Sequence, residues 1–233
     1  FIHSNFRFLK HFLRFYGIEK LDGLLADLGI SSHQIDLADR GFTYREDADL
    51  DMRMNRENPI TAERVLNEYS EEELMRIFRQ YGEIREAKWL AARVVKERKA
   101  GRIKSSLQLI DIAGSFSKPG QQNKFLSKLF QALRIEVNDE LGSLKEFLEQ
   151  TPEVLNEGGR LVVISYHSLE DRLVKNFMKE GKTKGEAEKD FFGNPLQSLK
   201  VIRPQLIKAS DEEINKNPRA RSARLRIAEK QNG

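Results

Sequence analysis

An acid that closes a short apolar run, followed by glycine and two hydroxyls, can hold a polar ligand against the backbone. Here the run is Leu21–Leu28, with Asp27 near its end and Gly29, Ser31, Ser32, His33 and Gln34 behind it. Glycine permits close backbone approach, and the carboxylate and hydroxyls can accept or donate hydrogen bonds. The same residues also suit a plain strand-to-helix turn in which Asp27 or Ser31 caps the next element.

Three further clusters carry chemistry. Residues Asp36 to Asn55 interleave Arg40, Arg45 and Arg53 with Phe42 and Tyr44, a mixture that can clamp phosphates and stack on bases. Asp47, Asp49 and Asp51 oppose those charges, so an internally salt-bridged loop is the structural alternative. Around Ile164 to Arg172, His167 and Asp171 stand four apart at a helix start and can face one pocket. Alternatively Ser168 caps that helix, with Glu170 and Asp171 complementing its positive end. A Ser-His-Asp hydrolase is disfavoured because no G-x-S-x-G elbow is present. Near the end, Arg219, Arg221, Arg224 and Arg226 fall within eight residues. Alternation places Arg224 and Arg226 on one strand face, where they suit either phosphate contact or the charge that blunts an edge strand. No metal site is expected, since His3, His11, His33 and His167 are scattered without a ligand spacing.

These clusters need a scaffold. Phe6, Leu9, Phe12, Leu13 and Tyr16 repeat at helical spacing before Gly17. Leu21–Leu28 and Arg160–Ser165 read as buried parallel strands, each leaving into a polar loop at its carboxyl end, where open α/β sheets bind ligands. Residues 29–159 separate them. Gly29–Pro59 has no apolar period and reads as a long loop. Thr61–Gly101, Leu107–Ala113 and Lys124–Gln150 are helical in pattern, and Ser70 with Glu73 makes a capping box. Leu169–Lys179 is a further helix, Glu180–Asp190 a charged loop, and Leu199–Ile202 with Ala223–Ala228 a closing antiparallel pair. That much helix exceeds one crossover connection, so part of it forms an inserted subdomain.

Composition sets the bounds. The chain has 233 residues, of which 39% are apolar and 33% charged, enough for a core and a solvated surface. No run approaches the ~18 apolar residues of a membrane span. Cysteine is absent, which removes disulfides and thiolate chemistry and fits the cytoplasm. A net charge of +4 leans weakly towards a polyanionic partner. Phe1 in place of Met suggests a chain without its natural leading segment.

Six phrases in order carry a resemblance: Asp22–Asp36 (DGLLADLGISSHQID), Arg40–Asn55 (RGFTYREDADLDMRMN), Tyr81–Val95 (YGEIREAKWLAARVV), Phe130–Leu141 (FQALRIEVNDEL), Gly158–Phe177 (GGRLVVISYHSLEDRLVKNF) and Asn217–Lys230 (NPRARSARLRIAEK). Together the chain resembles the bacterial 16S ribosomal RNA cytosine N4-methyltransferases, which use S-adenosylmethionine and act on the cytidine at position 1402. The resemblance implies a Rossmann-like α/β methyltransferase sheet, N-terminally truncated, with an inserted helical substrate-recognition subdomain. Residues 1–36 and 129–233 would form the methyltransferase core and 37–128 the insertion. It implies that Phe6, Asp27 and Gln34 contact S-adenosylmethionine. Asp27, Ser31, Ser32 and His167 are candidates to accept a hydrogen bond as charge grows on the amine. Arg40, Arg45, Arg53, Arg219 and Arg221 are candidates to contact 16S rRNA in the small ribosomal subunit.

The family's pattern is departed from in three places. Its glycine-rich G-x-G-G-H loop and the acid after its second strand are absent, so this piece alone is expected to bind little donor and to be inactive. His33 stands where Pro is common. Gln122–Lys128 replaces a His-Pro-Ala-Thr-Arg phrase, with Lys124 and Lys128 as point charges that can substitute. Without earlier strands, Leu21–Leu28 would present an exposed apolar edge that favours dimerisation. The rival to an enzyme is a non-catalytic RNA-binding protein that kept the recognition helices.

Overall fold

The computed structural model of the chain describes residues 1–31, 34, 40–183 and 198–231. They form two compact units, Phe1–Gly29 with Leu141–Gly233, and Ile30–Glu140.

The first unit is built on a mixed sheet. A 3-10 turn at Phe6–Phe8 leads into α1 (Leu9–Phe15), and Gly17, at φ 68°, ends it as its sequence position suggests. Next come β1 (Leu21–Asp27), α7 (Glu140–Val154), β2 (Leu155–Ser165) and α8 (Ser168–Glu180). They are followed by β3 (Leu199–Val201), β4 (Ile207–Lys208), α9 (Asp211–Lys216), a 3-10 turn at Pro218–Ser222 and β5 (Arg224–Lys230).

The strand order is β1-β2-β5-β3, with β4 also pairing with β5. β1 runs parallel to β2, with Asp27 opposite Ile164. β5 is antiparallel to β2 on one side and to β3 on the other. The closing antiparallel pair foreseen in the sequence is therefore β3–β5. β5 is an interior strand, not a charge-blunted edge.

Hydrophobic burial holds this unit together. Along β2, Leu161, Val163 and Ser165 are buried at period two. Leu161 and Val163 meet Leu144, Phe147 and Leu148 of α7 and Val174, Phe177 and Met178 of α8 in one cluster. β1 is parallel as expected but is not buried on both faces: among the described residues it pairs with β2 alone, and Leu25 is 70% exposed.

The second unit is helical: α2 (Ala62–Glu68), α3 (Glu71–Gln80), α4 (Ala87–Glu97), α5 (Ser106–Gly114) and α6 (Gln122–Asn138). Ser70 and Glu73 form the expected capping box, and Ser105 with Gln108 forms a second. Leu66, Leu74, Ile77, Phe78, Leu90 and Val94 are fully buried. The opposite face of α4 presents Lys88, Lys96 and the sole tryptophan, Trp89, which is 68% exposed. The loop before α2 is pinned where Gly41 (φ 66°) passes Asp49; a β-carbon there would lie 2.2 Å from the Asp49 carbonyl oxygen.

One expectation shifts. The single helical stretch over Lys124–Gln150 is α6 and α7, because Asp139 adopts a left-handed conformation (φ 47°) that ends α6. Leu129, Phe130, Leu133 and Val137 of α6 belong to the helical unit's core. The two compact units divide at Gly29/Ile30 and Glu140/Leu141. Most of the charged loop foreseen over Glu180–Asp190 lies outside the described residues, as do Ser32 and His33.

Candidate active site

Parallel pairing sends the carboxyl ends of β1 and β2 to the same edge of the sheet. Asp27 closes β1, and Tyr166 lies just past the end of β2. The Tyr166 hydroxyl donates to Asp27 Oδ1 at 2.9 Å. Burial, reinforced by this hydrogen bond to a carboxylate, pushes the Tyr166 phenol up to about 12, so it remains a neutral donor at physiological pH. Asp27 is exposed, and among the described residues its Oδ2 accepts no hydrogen bond. Gly29, at φ 89°, turns the chain away beside the Tyr166 ring, a conformation that favours glycine.

His167 serves the helix that follows. As N-cap of α8 it accepts the Glu170 N–H on Nδ1 at 3.4 Å, while the Glu170 carboxylate accepts the Tyr166 N–H at 3.0 Å and the His167 N–H at 3.3 Å. The cap is therefore His167 and not Ser168. Asp171 does not share a pocket with His167. Its carboxylate takes a fork from Arg226, Nε at 2.7 Å and Nη2 at 3.1 Å, and a third bond from Arg224 Nη1 at 2.9 Å. The two arginines do share a strand face, as alternation predicts, but it is an internal carboxylate that they meet. Arg226 is buried and is not available to a phosphate.

The other candidates are placed as follows. Phe6 packs edge-to-face on Phe147 at 5.4 Å and is 42% exposed. No ring contact or hydrogen bond joins it to Asp27 among the described residues. Ser31 and Gln34 belong to the helical unit and bond each other: Gln34 Oε1 accepts the Ser31 N–H at 3.0 Å and its hydroxyl at 3.4 Å. Arg53 is a staple within its own loop, forked on Asp51 (2.6 and 3.3 Å) and bonded to the carbonyls of Arg56 and Asn58. Arg40 donates to the Arg53 carbonyl and lies over the Phe42 ring at 5.7 Å.

Among the described residues Asp47 pairs with no arginine. It accepts from the Leu107 N–H and the Ser106 hydroxyl, and these bonds, the Leu107 one foremost, hold its carboxyl below the usual range. Arg45 is exposed and has no ion-pair partner among the described residues. Arg219 and Arg221 are exposed on the Pro218–Ser222 turn, which Asn217 caps by accepting the Arg219 N–H at 3.2 Å.

Beside Tyr166 opens a cleft of about 250 Å³, lined by Tyr166, Ser168, Lys208, Arg221, Ser222, Ala223 and Arg224. Sequence reading passed over Tyr166 and Lys208. A tyrosine at a strand end reads as ordinary β sequence, and its partner lies 139 residues away in the chain. Lys208 carries no local signal at all.

A helix-covered sheet whose adjacent parallel strands end in a polar cluster fits the Rossmann-like methyltransferases, and the sequence comparisons bear out that class. The chain belongs to the MraW methylase family, whose sequence profile matches residues 1–231. It is 53% identical over 229 residues to ribosomal RNA small subunit methyltransferase H of Flavobacterium johnsoniae, covering 98% of this chain and 76% of that protein. The Cytophaga hutchinsonii protein of the same name is 53% identical over 230 residues, covering 99% and 77%. That of Parabacteroides distasonis is 50% identical over 231 residues, covering 99% and 76%.

Proposed function

We propose that the protein transfers a methyl group from S-adenosylmethionine to the exocyclic N4 of a cytidine, position 1402, in 16S rRNA of the small ribosomal subunit, in the cytoplasm. The relatives' names support the rRNA substrate, and the ordered motifs support the amine. The observation that carries the chemistry is the exposed Asp27 carboxylate, fixed at one oxygen by Tyr166 and open at the other.

The donor set suits the cofactor. A carboxylate complements a cationic donor, and a half-exposed Phe6 offers an aromatic face. Within the sheet unit Asp27 and Phe6 would hold S-adenosylmethionine, which when bound supplies an electrophilic methyl on a sulfonium; Gln34 is a candidate for the same cofactor on the family resemblance alone. Cytosine N4 is conjugated and a poor nucleophile, so alignment contributes much of the rate. Tyr166 keeps Asp27 Oδ1 occupied and its carboxyl plane fixed. Oδ2 then accepts an N–H of the target amine and takes its proton as positive charge grows on N4. Ser31 and Ser32, which follow Gly29 in the sequence, are further candidate acceptors on the resemblance alone. We assign His167 to the helix cap, since its Nδ1 is already committed to the Glu170 N–H. The base must leave its stack to reach this edge.

The test is transfer of labelled methyl from S-adenosylmethionine to small subunits lacking the mark, with the product nucleoside identified. Wild-type protein, assayed in its full-length form, is expected to give N4-methylcytidine, and Asp27→Asn in that protein to lose about 100-fold or more in kcat, the lower end of what a positioned proton acceptor contributes. No transfer by wild-type protein, or an Asp27→Asn variant of full activity, overturns the proposal.

A further inference from the structure

We propose that the cleft beside Tyr166 is a phosphodiester subsite, seating one phosphate of the substrate strand next to the nucleotide presented to Asp27. This rests on the rRNA-methylation reading above and extends it to the substrate's backbone.

Four separate pieces of chain converge on the cleft: the end of β2 with the start of α8, the short strand β4, the Pro218–Ser222 turn and the start of β5. They bring Lys208, Arg221 and Arg224 together with the hydroxyls of Ser168 and Ser222, and no carboxylate lines the cleft among the described residues. Lys208 and Arg221 are exposed and have no ion-pair partner among those residues. Arg224 is paired, but it shares the single carboxylate of Asp171 with Arg226, so two guanidiniums face one acid and a positive charge is left over. Arg224 is also 41% exposed, whereas Arg226 is 9% exposed, so the excess charge is presented on the cleft side.

The geometry is fixed before any ligand arrives. Ala220 is buried and anchors the turn, Asn217 caps it, and Arg221 is thereby held outward. A merely solvated pair of surface cations would need no such anchoring. The size agrees as well. At about 250 Å³ the cleft falls below the ~300–1,000 Å³ of typical small-molecule pockets, and it suits a phosphate with part of its sugar. Arginine and lysine beside hydroxyl donors are the usual partners of phosphate oxygens. Tyr166 joins the two sites, since its ring lines the cleft while its hydroxyl holds Asp27.

Steady-state methylation of small subunits and equilibrium binding of the protein to 16S rRNA test this. Both should be followed for the wild type, the Lys208→Ala/Arg221→Ala double variant and a milder Lys208→Gln/Arg221→Gln pair, with thermal melting as the folding control. Both residues are exposed, so the melting temperature should hold. The double variant is expected to raise the KM for subunits about tenfold. It should also flatten the slope of log affinity against log salt by about 1, the change for one lost phosphate contact. Affinity for S-adenosylmethionine, measured calorimetrically, should stay within about twofold, the scatter of surface changes. Unchanged rRNA affinity and salt slope in variants of an active enzyme overturn the subsite alone. So does a loss confined to S-adenosylmethionine, which would assign the cleft to the donor's carboxylate. A wild type that methylates nothing removes the underlying reading, a result readily told apart from either.

Discussion

Asp171 shows how far a residue's partners outweigh its neighbours in sequence. It lies four residues from His167, yet it is tied to Arg224 and Arg226, more than fifty positions away, in an ion triad whose Asp171–Arg226 half is almost fully enclosed. Removing one partner of a buried pair leaves an uncompensated charge. Asp171→Asn is therefore expected to cost about 3–5 kcal/mol, measured by denaturant unfolding. Burial pushes the Asp171 carboxyl up, but bonds from Arg226 and Arg224 outweigh it and hold the value below its ordinary 3.8. The folded form thus binds its proton less readily than the unfolded chain. The triad's contribution is fully present above the ordinary value and lost as pH falls through the lower, folded one. Acid unfolding of the wild type should steepen in that window and that of Asp171→Asn should not. Tyr166 makes the complementary point. Tyr166→Phe deletes one hydroxyl without emptying the cleft, and kcat is expected to fall about tenfold or more as Asp27 loses its fixed orientation, with melting little changed.

Secondary-structure elements were the most legible level of the sequence, because periodicity and caps are local. The Ser70–Glu73 box and the Arg160–Ser165 strand can be read from adjacent residues alone. Failures occurred where a local signal was ambiguous. The second strand reads from Arg160 in the sequence, yet β2 starts at Leu155 and passes through Gly158 and Gly159, with the pairing of β1 shifting register between Leu21 and Gly23. Asp139 looks like any helical acid until its positive φ is seen. The candidate site was half legible: Asp27 could be found from its setting at a strand end, whereas Tyr166, Lys208 and the Asp171 triad exist only through long-range contacts.

The edge strand β1 carries a prediction of its own. With Leu25 70% exposed and one side unpaired among the described residues, it is a template for another strand. The chain should self-associate with rising concentration by light scattering, and Leu25→Lys should suppress this. A wild type that stays monomeric throughout would rule the edge out as a dimer contact.

Each of the two units of the whole molecule has its own apolar cluster. In the helical unit a core drawn from all five helices and the loop before them is large enough for independent folding, the usual property of such a body. Residues 30–140 expressed alone should melt cooperatively by circular dichroism. A broad, non-cooperative loss of helix would show that this core is insufficient by itself.

Trp89 gives that unit a voice the other lacks. It is the chain's only indole and is already largely in water, so its emission originates wholly from α4 and should redden little on denaturation. A fluorescence melt would accordingly understate unfolding, above all in the sheet unit, which is dark under tryptophan-selective excitation. The same property is useful for binding: quenching on addition of rRNA would report a change at the α4 surface, with no label added.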